Sequence, residues 1–165
     1  MNLQEIACWS RQPAVRARIG ERGLYKTGLT RLANGDVLAC PCYQADDGKW
    51  RITVFRSSDA GETWQRIETA GSELLGKEPA ILALTDGVVL QISSHPHGFR
   101  VSRSGDGGVT WKTFPIGETT EEATFGPGYS MIRDVLTSPD GTLTLLMSRG
   151  VYYDPAAPPS QAWLY

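Results

Sequence analysis

The side chains able to do chemistry stand near the starts of three apolar runs and in one polar turn. Lys77-Glu78-Pro79 opens one run, Tyr25-Lys26 another, and Tyr129 and Arg133 belong to the third. Asp46 and Asp47 lie in the turn Ala45-Asp46-Asp47-Gly48-Lys49. A carboxylate such as Glu78 at the mouth of a strand serves as a general base or as an acceptor for hydroxyl groups. The plainer alternative is an ion pair with Lys77 or Lys26, and the sequence leaves both open. Asp46 and Asp47 read more readily as a solvated Asp-Asp-Gly turn, and Arg133 followed by Asp134 also reads as a local salt bridge.

Two further groups invite a metal reading and do not support it. Cys40 and Cys42 sit two apart on one strand and point the same way, but Cys-Pro-Cys has no second ligand pair, so both read as small buried residues. His95-Pro96-His97 has no third ligand carried on a helix or sheet. With Cys8 the cysteine count is odd, and no metal or cofactor is expected. The 16 basic and 18 acidic side chains give a net charge of -2, with no basic run interleaved by aromatics, so neither nucleic acid nor a membrane is an expected partner. Met1 to Ile6 lacks the pattern of a secretory leader, and the expectation is a cytoplasmic chain.

The elements that must position these residues are counted by a repeated octapeptide. Ser57-Ser58-Asp59-Ala60-Gly61-Glu62-Thr63-Trp64 returns 47 residues later as Ser104-Gly105-Asp106-Gly107-Gly108-Val109-Thr110-Trp111. Ser and Asp side chains accept hydrogen bonds from nearby backbone amides and glycine supplies a positive φ, so Ser-x-Asp-x-Gly closes its own turn. The following Thr-Trp begins a strand whose indole can fill the gap between neighbouring sheets. Around these clasps the chain alternates in short strands: Leu24 to Leu32, Val37 to Cys40, Trp50 to Ser57 and Thr63 to Ile67, then a second set from Pro79 to Phe114. Asn34-Gly35 between two apolar runs is a strong hairpin signal, and Gly87 and Gly141 repeat it. No segment carries a helical period with caps, and Gly71 to Gly76 makes at most one turn. The fold class is all-β, and four-stranded antiparallel modules of this length with a fixed Trp point to propeller blades.

Both octapeptides resemble the Asp-box, or BNR repeat, of sialidases, and Leu32 to Ala39 and Glu78 to Gly87 resemble the inner-hairpin phrases of that superfamily. The resemblance covers about residues 24 to 150 and implies a sialidase-like β-propeller with about three blades in this chain, a half propeller or a fragment. The blades span about 24–68, 78–116 and an incomplete 129–165, with an N-terminal strand at 5–11. Sialidase propellers have six blades. A homodimer is therefore expected, in which the strand around Ile6 to Ser10 of one chain completes the Tyr129 blade of the other.

In this family three arginines hold the substrate carboxylate, a Tyr activated by a Glu is the nucleophile, and an Asp is the acid/base. The first arginine opens an inner strand ten residues before the hairpin glycine, where this chain has Tyr25, Lys77 and Met131. The arginine phrase is thus missing, with Lys77-Glu78-Pro79 its nearest match. By position the resemblance implies Glu78, Asp46, Asp47 and Tyr25 as catalytic candidates and Lys26, Lys77, Arg133 and Tyr129 as substrate-binding candidates. Tyr25 and Tyr129 read more readily as aromatic packing at a blade junction. Ser57, Asp59, Gly61, Thr63, Trp64, Ser104, Asp106, Gly108, Thr110 and Trp111 are structural, since family Asp-boxes lie far from the active site. The expected function is carbohydrate recognition in the propeller funnel, and if the protein is an enzyme it is a sialidase-like glycoside hydrolase. The alternative is a non-catalytic structural or protein-interaction propeller.

Overall fold

A computed structural model describes residues 17–20, 23–95, 98–116, 129–150 and 161–164. The N-terminal strand expected at 5–11, Cys8, and most of the His95-Pro96-His97 loop lie outside these residues. β1 (Tyr25–Arg31) and β2 (Val37–Gln44) form the first hairpin. Its turn is held by the Gly35 amide on the Leu32 carbonyl at 3.0 Å and by the Asp36 amide on Asn34 Oδ1 at 3.1 Å, with Gly35 at a φ of 94° that suits glycine.

The strand expected from Trp50 to Ser57 is broken in two, β3 (Trp50–Ile52) and β4 (Val54–Ser57). The break falls opposite Pro41 of β2, which accepts from the Thr53 amide at 3.1 Å but has no N–H to return. β2 therefore pairs with β3 through Cys42 to Gln44 and with β4 through Val37 to Ala39. β5 (Gln65–Ile67) completes the sheet in the order β1-β2-β4-β5. It starts two residues later than expected because the Thr63 amide is bonded to Asp59 rather than to a strand.

The link to the next sheet holds a strand that the sequence did not announce. β6 (Ala70–Gly71) runs parallel to the outer strand of the second sheet, pairing Ala70 with Thr110 and Gly71 with Trp111. Gly71 is required there: at a φ of 85°, a Cβ would lie 2.3 Å from the Trp111 carbonyl oxygen. β7 (Lys77–Ala83), β8 (Val89–His95), β9 (Gly98–Ser104) and β10 (Thr110–Ile116) form the second antiparallel meander. β11 (Tyr129–Thr137), β12 (Leu143–Gly150) and β13 (Gln161–Leu164) form the third sheet. Among the described residues there is no helix.

The sheets stack through their first strands, β1 on β7 and β7 on β11. Leu38, Cys40, Cys42, Ile52 and Val54 of the first sheet meet Ile81, Val89 and Trp111 of the second in one buried cluster. Ile92 and Phe99 meet Ile132 and Val135 of the third in another. Both cysteines face the same core, and burial pushes their thiols above the ordinary range.

The two octapeptide clasps share a common set of bonds, to which the second adds the Val109 amide on Asp106 Oδ1 at 3.1 Å. Ser57 Oγ donates to Asp59 Oδ1 and accepts from the Gly61 amide, as Ser104 does with Asp106 and Gly108. Asp59 and Asp106 accept the amide and hydroxyl of Thr63 and Thr110, and each indole N–H donates to the carbonyl of its clasp glycine. The Thr63 hydroxyl and amide draw Asp59 down to about 2, and at Asp106 the Thr110 bonds outweigh burial to the same effect. Because the folded-state values lie below the ordinary aspartate value of 3.8, the stabilisation is complete above about pH 4 and is lost as pH falls toward 2. Asp106→Asn is accordingly expected to be less stable than the parent at neutral pH, with the gap closing between about pH 4 and pH 2 in urea titrations.

Candidate functional site

Antiparallel register sorts the molecule into two ends. The starts of β1, β7 and β11 lie at one end with the β2–β3 turn, and the hairpin glycines and both clasps lie at the other. The clasps therefore position the sheets without approaching Glu78.

β1 and β7 carry an irregularity at their starts, between Tyr25 and Thr27 and between Lys77 and Ala80, and β11 carries one near its middle, between Ile132 and Asp134. The residues set off by these shifts are Lys26, the pair Glu78-Pro79, and Arg133. A bulge re-aims a side chain out of the strand's alternation, and Lys26 and Glu78 take positive φ values of 37° and 51° to do so. Such backbone outside glycine costs about 1–3 kcal/mol and collects at functional sites.

The result is a contact between neighbouring sheets. Lys26 Nζ donates to Glu78 Oε1 across the β1–β7 junction. The approach is close because β1 has Gly28 where a Cβ would stand 2.7 Å from the Pro79 carbonyl oxygen. Glu78 is only 9% exposed, and its Oε2 is buried without a hydrogen-bond partner. Burial pulls the Lys26 ammonium down, but the bond to Glu78 and its charge more than reverse this, and the amine titrates above its ordinary value.

Aromatic rings frame the pair. Tyr25 and Trp50 lie with centroids 6.0 Å apart at 53°, and Lys77 Nζ sits 4.4 Å from the centre of the Trp50 ring. The Cys42 thiol donates to the Tyr25 carbonyl at 3.2 Å, fixing the backbone just before the Lys26 bulge. The structure thus brings together four of the residues singled out from sequence, Tyr25, Lys26, Lys77 and Glu78. Arg133 is set off by the shift near the middle of β11, and the backbone of Tyr129 pairs with Gly150 at the start of that strand. Asp46 is exposed in its turn. Asp47 turns to Arg51, which binds it bidentately at 2.7 and 2.8 Å and reaches Glu73 at 2.5 Å. The guanidinium and the Lys49 amide hold the Asp47 carboxyl well below the usual range. Trp50 and Cys42 were not legible as parts of this site. The signal available was strand register, β2–β3 setting Trp50 opposite Gln44 and β1–β2 setting Cys42 opposite Tyr25.

Residues 6–154 match the BNR repeat-like domain family. The chain belongs to that family. No curated protein matches it, but solved structures share its fold. A protein of unknown function from Dyadobacter fermentans is 20% identical over 86% of this chain and 37% of its own, with a TM-score of 0.57. A Penicillium chrysogenum α-L-arabinanase complexed with arabinobiose is 22% identical over 79% of this chain and 42% of its own, at 0.57. A Hadza microbial sialidase is 19% identical over 77% of this chain and 32% of its own, at 0.56. The BNR repeat-like chain thus spans under half the length of each of these proteins. Its fold is the all-β, sialidase-like β-propeller.

Proposed function

We propose that this BNR repeat-like chain contributes a carbohydrate-binding surface, with the ligand taken where Tyr25, Lys26, Trp50, Lys77 and Glu78 meet. The observation that supports the reading is the Glu78 carboxylate, nine-tenths buried, with Oε1 on Lys26 and Oε2 lacking a hydrogen-bond partner. A buried acceptor left without a donor costs about 1–3 kcal/mol, and a sugar hydroxyl would supply the donor. The strained backbone at Lys26 and Glu78 and the adjacent rings of Tyr25 and Trp50 fit a sugar-binding role. Glycan-active names among the structures of the same fold agree with that ligand class. Sialic acid cleavage is not part of the proposal, because Tyr25, Lys77 and Met131 stand where the resemblance places an arginine.

The test is calorimetric titration with a panel of neutral and sialylated oligosaccharides. Glu78→Gln is expected to weaken the tightest ligand at least about tenfold, since a tenth of the affinity is about 1.4 kcal/mol. Asp47→Asn should leave affinity unchanged, and a fluorogenic sialoside should not be hydrolysed. Turnover of that sialoside that disappears in Glu78→Gln would make the surface catalytic. Failure of every glycan to bind would overturn the proposal in favour of a protein-interaction scaffold. The Lys26–Glu78 pair favours that second reading to the extent that it simply cross-links β1 to β7.

A further inference from the structure

Two consecutive side chains of β7 reach the first sheet. In a regular strand Lys77 and Glu78 would point to opposite faces. The shift between Lys77 and Ala80 and the positive φ of Glu78 remove that alternation, so that Glu78 meets Lys26 of β1 while Lys77 meets Trp50 of β3. β1 behaves alike at its own bulge, with Tyr25 beside Trp50 and Lys26 on Glu78. The Trp50 indole is half-buried and packs against the core cluster that includes Cys42, Ile52 and Leu74. The Lys77 ammonium lies over the ring, 4.4 Å from its centre and within cation–π reach. Tyr25, 6.0 Å away and tilted by 53°, does not lie flat on the indole. The face of Trp50 turned away from the core is therefore occupied by Lys77 itself. Lys77 is exposed, and among the described residues no carboxylate pairs with it.

We infer that Lys77 is a displaceable cover on the sugar-stacking face of Trp50, and that it decides which saccharides the site takes. The inference rests on the carbohydrate reading above. A sugar lays the apolar face of its ring on an aromatic side chain, and on Trp50 that face opens only when the ammonium leaves. Lys77 can leave because lysine carries a strongly hydrated ammonium on a flexible stem, and no ion pair has to be broken. Lys26 cannot move in the same way, because its ammonium is tied to the nine-tenths buried Glu78 carboxylate. The cover is weak, since a cation–π contact at an exposed site changes an equilibrium constant only about two- to fivefold. A saccharide with a broad apolar ring face offsets that loss and displaces Lys77. A ligand that reaches only Glu78 leaves the cover in place and gains nothing from the indole.

Calorimetric titration of the full chain with the neutral oligosaccharides of the panel tests the cover. Lys77→Ala is expected to bind them about two- to fivefold more tightly than the parent. Lys77→Arg keeps a cation that stacks on the indole and should bind them no more tightly than the parent. Acrylamide quenching of tryptophan fluorescence reads the cover without any ligand. Lys77→Ala should be quenched more than the parent, and the difference should vanish when both also carry Trp50→Phe. Weaker binding by Lys77→Ala would make the ammonium a ligand contact and overturn the inference. Unchanged binding or unchanged quenching would overturn it too. Failure of every glycan to bind parent and Lys77→Ala alike falls on the carbohydrate reading, and the quenching result then decides the cover on its own.

Discussion

Trp111→Ala is expected to lose about 3–5 kcal/mol of stability, the range for deleting a buried tryptophan. The indole is 3% exposed and belongs to the cluster formed with Leu38, Cys40, Val54, Ile81 and Val89, so its loss opens a cavity between the first two sheets. Its N–H also satisfies the Gly108 carbonyl at 2.8 Å, and that carbonyl would be left without its donor. Trp64 has the same place in its own clasp and the same bond to Gly61 at 3.0 Å, yet it is only half-buried. Trp64→Ala should therefore cost less than half as much. Guanidinium titration of both variants decides the matter, and equal losses would show that the clasp turn, not the inter-sheet packing, is what the indole serves.

Lys26→Met carries the second large effect, about 1–3 kcal/mol, measured by the same titration. Breaking a buried ion pair costs about 3–5 kcal/mol because one charge stays behind uncompensated, and the lower figure follows from Lys26 being about a third exposed, where water screens it. The cost should be asymmetric. Glu78→Gln leaves an ammonium that is about a third exposed, whereas Lys26→Met leaves a carboxylate that is nine-tenths buried, so the lysine variant is the less stable. The double variant Lys26→Met with Glu78→Gln should recover most of the loss, because no buried charge remains. The pH dependence has a definite sign. Lys26 titrates above the ordinary lysine value of 10.5, so the pair stabilises the fold fully below about that pH and stops doing so as pH rises through the raised value. A double variant no more stable than Lys26→Met would place the cost in the strained backbone rather than in the charge.

Much of the architecture was legible because it is encoded locally. Asn34-Gly35, Asp86-Gly87 and Asp140-Gly141 are turns whose conformations follow from their own residues. The clasps close through bonds spanning no more than four residues, as between Ser104, Asp106 and Thr110. β6 and the break at Thr53 were missed because each answers to a distant partner. Ala70-Gly71 is a strand only where Trp111 lies beside it, and Thr53 leaves the ladder only because Pro41 is opposite.

The candidate site divides in the same way. The spacing to the hairpin glycines placed Tyr25, Lys26, Lys77 and Glu78 at the starts of inner strands, and either partner for Glu78 was then open. The sheet-to-sheet approach chose Lys26 for the ion pair and sent Lys77 to the ring of Trp50. By itself the sequence determined the all-β class, the repeat and the placing of Tyr25, Lys26, Lys77 and Glu78 at the starts of inner strands, since periodicity and turn chemistry act over a few residues. Only the tertiary structure decided which side chains meet, because Lys26 and Glu78 are 52 residues apart and a contact across two bulged strands depends on how the sheets stack.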